Sequence, residues 1–119
     1  MIFLDTCVLI DYSKGKISLD LSQHYFINSI VKLEFKFGAL NKKELKKINR
    51  ILSQISLLEI DQSILDLADK LVDNYSLSCN MGIYDSIIAS TCLIYDLPLW
   101  TYNTKDFKFI DKLVLLNKS

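Results

Sequence analysis

The 119-residue chain is poor in the residues that break or bridge structure: one proline, three glycines, one histidine, and three cysteines that form no C-x-x-C pair. With half of its residues apolar and so little proline and glycine, it has no room for a long disordered segment. Cysteines 7, 79 and 92 are odd in number, and Cys7 and Cys92 fall on or near apolar helical faces. Buried free thiols in a reducing compartment are the economical reading, with no support for a disulfide framework or a zinc site. His24, the single histidine, reads as a surface or packing residue rather than a catalytic base. No glycine-rich phosphate loop occurs, which removes the ordinary nucleotide-hydrolase and dinucleotide classes. No apolar run reaches the roughly 18 residues of a membrane span. The Met-Ile-Phe-Leu start lacks a basic region and meets an acid at once, unlike a signal peptide, so a cytoplasmic protein without a membrane partner is expected.

Charge of neither sign dominates: fourteen basic residues balance fourteen acidic ones, which argues neither for nor against nucleic acid. The distribution is uneven. Lys32, Lys36, Lys42, Lys43, Lys46, Lys47 and Arg50 crowd one stretch that holds only Glu34 and Glu44, while the stretch from Glu59 to Asp73 is acidic with Lys70 as its one base.

The chain is organised around its opening. Ile2-Phe3-Leu4 is an apolar run too short for anything but a buried strand, and it ends in Asp5 before Thr6, a helix-capping type. That places Asp5 at the carboxyl end of a strand, where open α/β sheets bind ligands. A short helix over 7–13 follows, then a strand at 25–27 and a helix over 30–37 capped by Asn28 or Ser29. In it Ile30, Leu33 and Phe37 recur at three and four residues as the expected buried stripe, with Glu34 beside it. A helix over 42–52 turns Leu45, Ile48 and Leu52 inward. A strand near 57–60 precedes a helix started by Asp61 or Ser63, and residues 76–82 read as a connection. The next helix starts at Ile83 or Tyr84 with Asp85 in its first turn, where the exposed amides favour an acid. Strands at 99–101 and 113–116 flank a polar loop that contains Asn103 and Asp106. Strands alternating with helices predict one α/β domain over 1–119 around a mainly parallel sheet with helices on both sides.

Four acids thus occupy element ends or inward edges: Asp5, Glu34, Asp85 and Asp106. Each alone is an ordinary cap, turn or surface residue. If they converge, their repulsion must be offset, and a hard divalent cation with oxygen ligands does so while activating water against a phosphodiester. Thr101 and Asn103 stand close enough in sequence to orient the acids or bound water.

At these residues the chain resembles the PIN-domain family, in particular the VapC-type toxin ribonucleases of type II toxin–antitoxin modules. The similar segments are FLDTCVLID at 3–11, INSIVKLEFKFG at 27–38, GIYDSIIASTCLIYDLPLWTYNTKDF at 82–107, and the LVLL that follows. The resemblance implies a PIN-like three-layer α/β/α sandwich acting as a Mg²⁺- or Mn²⁺-dependent endoribonuclease, usually a homodimer, neutralised by a cognate antitoxin. It makes Asp5, Glu34, Asp85 and Asp106 the metal-holding catalytic acids, with Thr6, Thr101 and Asn103 as their polar companions. Structured RNA, such as transfer or ribosomal RNA loops, is the implied substrate, cut to a 5′-phosphate and a 3′-hydroxyl. Trp100 and Tyr102 replace the aliphatic and basic residues usual around the threonine, so the lysine-rich stretch becomes the expected contact for the RNA backbone, and Tyr102 a base-stacking or packing residue. A PIN-like nuclease of RNA processing, or an α/β interaction module without catalysis, are the alternatives.

Overall fold

The structure, a computed structural model, describes residues 1–116. Its elements are β1 (Ile2–Leu4), α1 (Thr6–Ser13), β2 (Tyr25–Asn28), α2 (Ser29–Phe37), α3 (Lys42–Leu52), β3 (Ser56–Leu58), α4 (Gln62–Cys79), α5 (Ile83–Ile94), β4 (Leu99–Trp100) and β5 (Leu115–Leu116), with a 3₁₀ turn at Thr104–Asp106 before β5. The five strands form one sheet in the order β3-β2-β1-β4-β5, and every pairing is parallel. The fold is the expected three-layer α/β/α sandwich. Among the described residues no helix is long and apolar enough to cross a membrane.

The strand order explains the opening run. β1 lies at the centre, with Phe3 opposite both Phe26 and Leu99, so both of its edges are paired, and all three of its residues are buried. Continuous apolar character is what such a strand requires. The chain leaves β1 for β2 on one side and returns later to β4 on the other. The gap between the carboxyl ends of β1 and β4 is therefore a topological switch point, the place where open parallel sheets receive ligands. Asp5 follows β1 into this gap and Thr101 follows β4.

Several boundaries differ from those the sequence suggests. Asp5, not Thr6, caps α1: it is extended, and its side chain accepts from the Thr6 amide. Asn28, one of the two expected caps, extends β2 by a residue and caps α2, accepting from the Val31 amide. Helix α4 runs through most of the expected connection to Cys79 and stops at Asn80, which adopts the left-handed conformation at φ 56°. Ser76 to Cys79 contain no breaker, so the helix continues until a residue that tolerates that conformation. The cysteines are free, with Cys92 buried, Cys7 half-buried and Cys79 exposed.

The main correction concerns α2. Its core-facing residues are Val31 and Phe35, whereas Leu33 is 62% and Phe37 94% exposed. The helix carries two apolar stripes, and the core takes the one adjoining the expected choice. Glu34, three residues after Val31, thus still borders the buried stripe, on the side that carries the exposed Leu33 and Phe37.

Candidate active site

Asp5 is 6% exposed, and a carboxylate so buried needs its oxygens satisfied. Oδ1 accepts the Thr6 amide at 2.8 Å and Oδ2 accepts the Thr101 hydroxyl at 2.8 Å. Its own amide donates to the Trp100 carbonyl at 3.0 Å, which stitches the end of β1 to the end of β4. Thr101 is oriented in turn by the Asn103 backbone amide, which donates to its Oγ1 at 3.0 Å. Thr101 therefore acts on Asp5 through its side chain, and Asn103 acts through its backbone.

Thr6 opens α1 and faces α2, where its hydroxyl donates to Glu34 Oε1 at 2.9 Å. The position of α2 is set deeper in the fold. Asn28 and Thr91 are both fully buried, and the Asn28 amide donates to Thr91 Oγ1 at 2.9 Å while its oxygen caps α2. The Thr91 hydroxyl donates to the Ile87 carbonyl at 2.8 Å. One buried side chain thus bolts the helix that carries Glu34 to the helix that carries Asp85. The sequence marks Asn28 only as a cap; its second bond depends on Thr91, 63 residues away.

Asp85 lies in the first turn of α5, half-buried. Its pKa is pushed up from 3.8 to about 6, first by burial and then by the charges of Asp5, Asp106 and Glu34. Every charge that acts on it is a carboxylate. The fold therefore brings Asp5, Glu34 and Asp106 within electrostatic reach of Asp85, with Asp106 contributed by the 3₁₀ turn after β4. Among the described residues no three carboxylate, cysteine or histidine groups are already closed into a metal cluster.

The donor chemistry of the site is that of a hard cation. Cys7 is the soft group in contact with Asp5, its Sγ 3.9 Å from both Asp5 Oδ2 and Thr101 Oγ1. Burial, followed among the raising influences by the Asp5 charge, lifts its thiol pKa above 9.0, so it stays protonated at neutral pH. What remains are carboxylate and hydroxyl oxygens, the set that Mg²⁺ and Mn²⁺ take, and a concentration of negative charge that a divalent cation relieves.

The seven cations of the 32–50 stretch are not part of this cluster. Lys47 donates to the Ser13 carbonyl and ties α3 to the end of α1. Lys32 and Lys36 line a separate hollow with Asn49 and Ser53. Lys42, Lys43, Lys46 and Arg50 are exposed on α3. Tyr102 packs against the core with its hydroxyl covered and facing Asp11, an arrangement that suits packing better than base stacking. Beside the acids lies a wider hollow of about 600 Å³, lined by Thr6, Ile30, Leu33, Glu34, Phe37 and Tyr84.

The PIN domain profile matches residues 2–113. The ribonuclease VapC of Rickettsia bellii is 32% identical, in an alignment covering 97% of this chain and 94% of that protein. Among solved structures, a toxin–antitoxin complex from Klebsiella pneumoniae contains a chain of 26% identity that superposes with a TM-score of 0.77 over 96% of both chains. VapBC2 of Rickettsia felis, bound to a promoter DNA fragment, superposes over the full length of both chains with a TM-score of 0.85 at 23% identity, a likeness of fold. The chain belongs to the PIN-domain family, in its VapC-type branch.

Proposed function

We propose that this protein is a Mg²⁺- or Mn²⁺-dependent endoribonuclease toxin that hydrolyses phosphodiester bonds in structured RNA, such as transfer or ribosomal RNA loops, and is silenced by a cognate antitoxin. One observation carries the reading: beside the switch point of the sheet Asp85 is raised to a pKa of about 6, first by burial and then by the charges of Asp5, Asp106 and Glu34. Structural caps have no reason to be gathered at this cost. The relatives named as VapC ribonucleases supply the reaction class.

A cation held by these carboxylates would supply charge neutralisation, activation of water and stabilisation of the charge that builds on the phosphoryl oxygens. The protein's own part is orientation. The Thr6 amide occupies one direction on Asp5 Oδ1, and the Thr101 hydroxyl, with the Cys7 thiol at 3.9 Å, fixes Oδ2. The Thr6 hydroxyl fixes Glu34 Oε1 and leaves Oε2 free. Positive charge held beside Asp85 would lower its raised pKa and favour the ionised carboxylate. The hydroxyl groups and the bolt between α2 and α5 hold these positions through the reaction, so little reorganisation is needed as charge develops. Hydrolysis by water leaves a 5′-phosphate and a 3′-hydroxyl.

The antitoxin belongs to the same proposal. Leu33, Phe37 and Tyr84, 62%, 94% and 58% exposed, border the hollow beside Glu34, so an apolar segment laid there would cover the catalytic acids as well. Assembly as a homodimer is part of the proposal and is read by light scattering.

The deciding experiment incubates purified protein with total transfer and ribosomal RNA in Mg²⁺, Mn²⁺ or EDTA, beside its Asp5→Asn variant, and maps the fragment ends. Discrete metal-dependent cuts with 5′-phosphate ends, absent from the variant, are expected. Cleavage in EDTA, or undiminished cleavage by Asp5→Asn, would overturn the assignment.

A further inference from the structure

The lysine-rich stretch separates into groups with different work to do. Lys47 is engaged with Ser13, and four other cations ride the exposed side of α3. Lys32 and Lys36 differ from both. They stand four residues apart on α2, are half-buried, and line a hollow of about 220 Å³ with Ile27, Asn49, Leu52 and Ser53. No carboxylate lines it. Among the described residues neither ammonium group has a hydrogen bond or an ion pair.

The last turn of α3 borders the hollow, and the simplest role for the two lysines would be to serve its carbonyls. That role is already filled. The Ser53 amide donates to the Asn49 carbonyl at 3.1 Å, and the Ser53 hydroxyl donates to the Arg50 carbonyl at 2.6 Å. A helix end carries roughly half a negative charge, so two ammonium groups leave an excess of about +1.5. A phosphodiester, with one negative charge and two free oxygens, balances most of that excess. The Asn49 side-chain amide adds a neutral donor. At about 30 Å³ per water the hollow holds roughly seven waters, ample for a phosphate group.

Glu34 lies two residues from each lysine, about 200° around the helix, so the hollow is on the far side of α2 from the acids. We propose that Lys32, Lys36 and Asn49 form a subsite for one backbone phosphodiester of the RNA, away from the cut. The subsite rests on the ribonuclease reading and extends it: the substrate must follow α2 from one side to the other, which a structured RNA does and a short oligonucleotide does not. It positions without reading sequence.

The test compares wild type with Lys32→Gln/Lys36→Gln and Lys32→Arg/Lys36→Arg. It measures cleavage of total transfer RNA in Mg²⁺ and anisotropy of labelled transfer RNA in EDTA, both from 50 to 200 mM KCl. Loss of one phosphate contact lowers the slope of log affinity against log salt by about 0.7 to 0.9, equivalent to a fivefold to eightfold weaker affinity near 0.1 M. We expect the Gln pair to show that change and a matching rise in KM with kcat at saturating RNA retained, and the Arg pair to keep the wild-type slope. Unchanged slope and KM in the Gln pair, while wild type cleaves, would overturn the subsite and leave the nuclease standing. A lowered melting temperature with an unchanged slope would assign the lysines to the α3 end instead. If wild type neither cleaves nor binds, the ribonuclease reading fails and the subsite with it.

Discussion

Glu34 and Asp85 approach the same site from two helices, and solvent treats them differently. Helix α5 is buried at Ser86 and from Ile88 to Cys92, so Asp85 is held by a helix the core surrounds. Helix α2 buries only Val31 and Phe35, and Glu34 is exposed, positioned by one hydroxyl from Thr6. The rigid acid is desolvated and also bears the charges of the other three, which together raise its pKa to about 6, while the exposed acid keeps solvent around it. A site built this way has one fixed carboxylate against which an adjustable one can close.

The largest expected effects come from removing the fixed acids. Asp5→Asn and Asp85→Asn should each lower RNA cleavage by on the order of 10³-fold, the loss typical of a group that stabilises developing charge, with circular dichroism unchanged. Stability in EDTA should move the other way for Asp85→Asn. Folded Asp85 has a pKa near 6 against 3.8 for the free group, so between those values the folded state holds more protons than the unfolded chain. Its contribution to metal-free stability is therefore full below about pH 3.8 and is lost as pH rises through about 6. Asp85→Asn should flatten that decline and raise the melting temperature at pH 7. A wild-type melting temperature that holds level from pH 4 to 7, with no gain from the substitution, would break the contrast between the two acids.

The next effect tests the bolt that holds the two helices in register. Thr91→Val removes the hydroxyl that accepts from Asn28 and leaves a buried amide without a partner, which costs about 1–3 kcal/mol of folding stability. If the bolt also sets the spacing of Glu34 and Asp85, Mn²⁺ affinity measured by calorimetry should fall roughly 10–100-fold. Lost stability with full Mn²⁺ affinity would show that the bolt serves the fold alone. Thr6→Ala acts on the adjustable acid only. It should lower cleavage about tenfold while stability changes by less than about 0.5 kcal/mol, because Glu34 is exposed.

The contrast between α2 and α5 also marks what the sequence could disclose. Asp5, Asp85 and Asp106 sit beside strand ends or in a first helical turn, positions that a run of apolar residues or a turn signal identifies locally. The order of strands and helices is legible for the same reason. The environment of Glu34 is not. Ile30, Leu33 and Phe37 repeat at helical spacing as faithfully as Val31 and Phe35 do, and periodicity cannot say which of two apolar stripes meets the core. Pairings such as Asn28 with Thr91, or Thr101 with Asp5 across 96 residues, exist only once the sheet has brought β1, β2 and β4 together. The end of α4 was hidden differently: no breaker stands in 76–79, and the helix runs through the expected connection until Asn80 supplies the left-handed residue.

The smallest effect on the isolated protein is also the one that asks why α2 keeps a second apolar stripe. Phe37 is 94% exposed, so Phe37→Ser should alter folding stability by no more than about 0.5 kcal/mol. Burying a phenylalanine side chain in a partner is worth roughly 1.5–3 kcal/mol, so the same substitution should weaken capture of the cognate antitoxin about tenfold or more. Titration of antitoxin into a cleavage assay separates the two quantities. Undiminished inhibition would mean that the stripe is ordinary surface and that the silencing partner approaches from elsewhere. Weakened inhibition with normal cleavage would assign the two faces of α2 separate tasks: Val31 and Phe35 hold the helix to the core, and Leu33 and Phe37 hold the partner over Glu34.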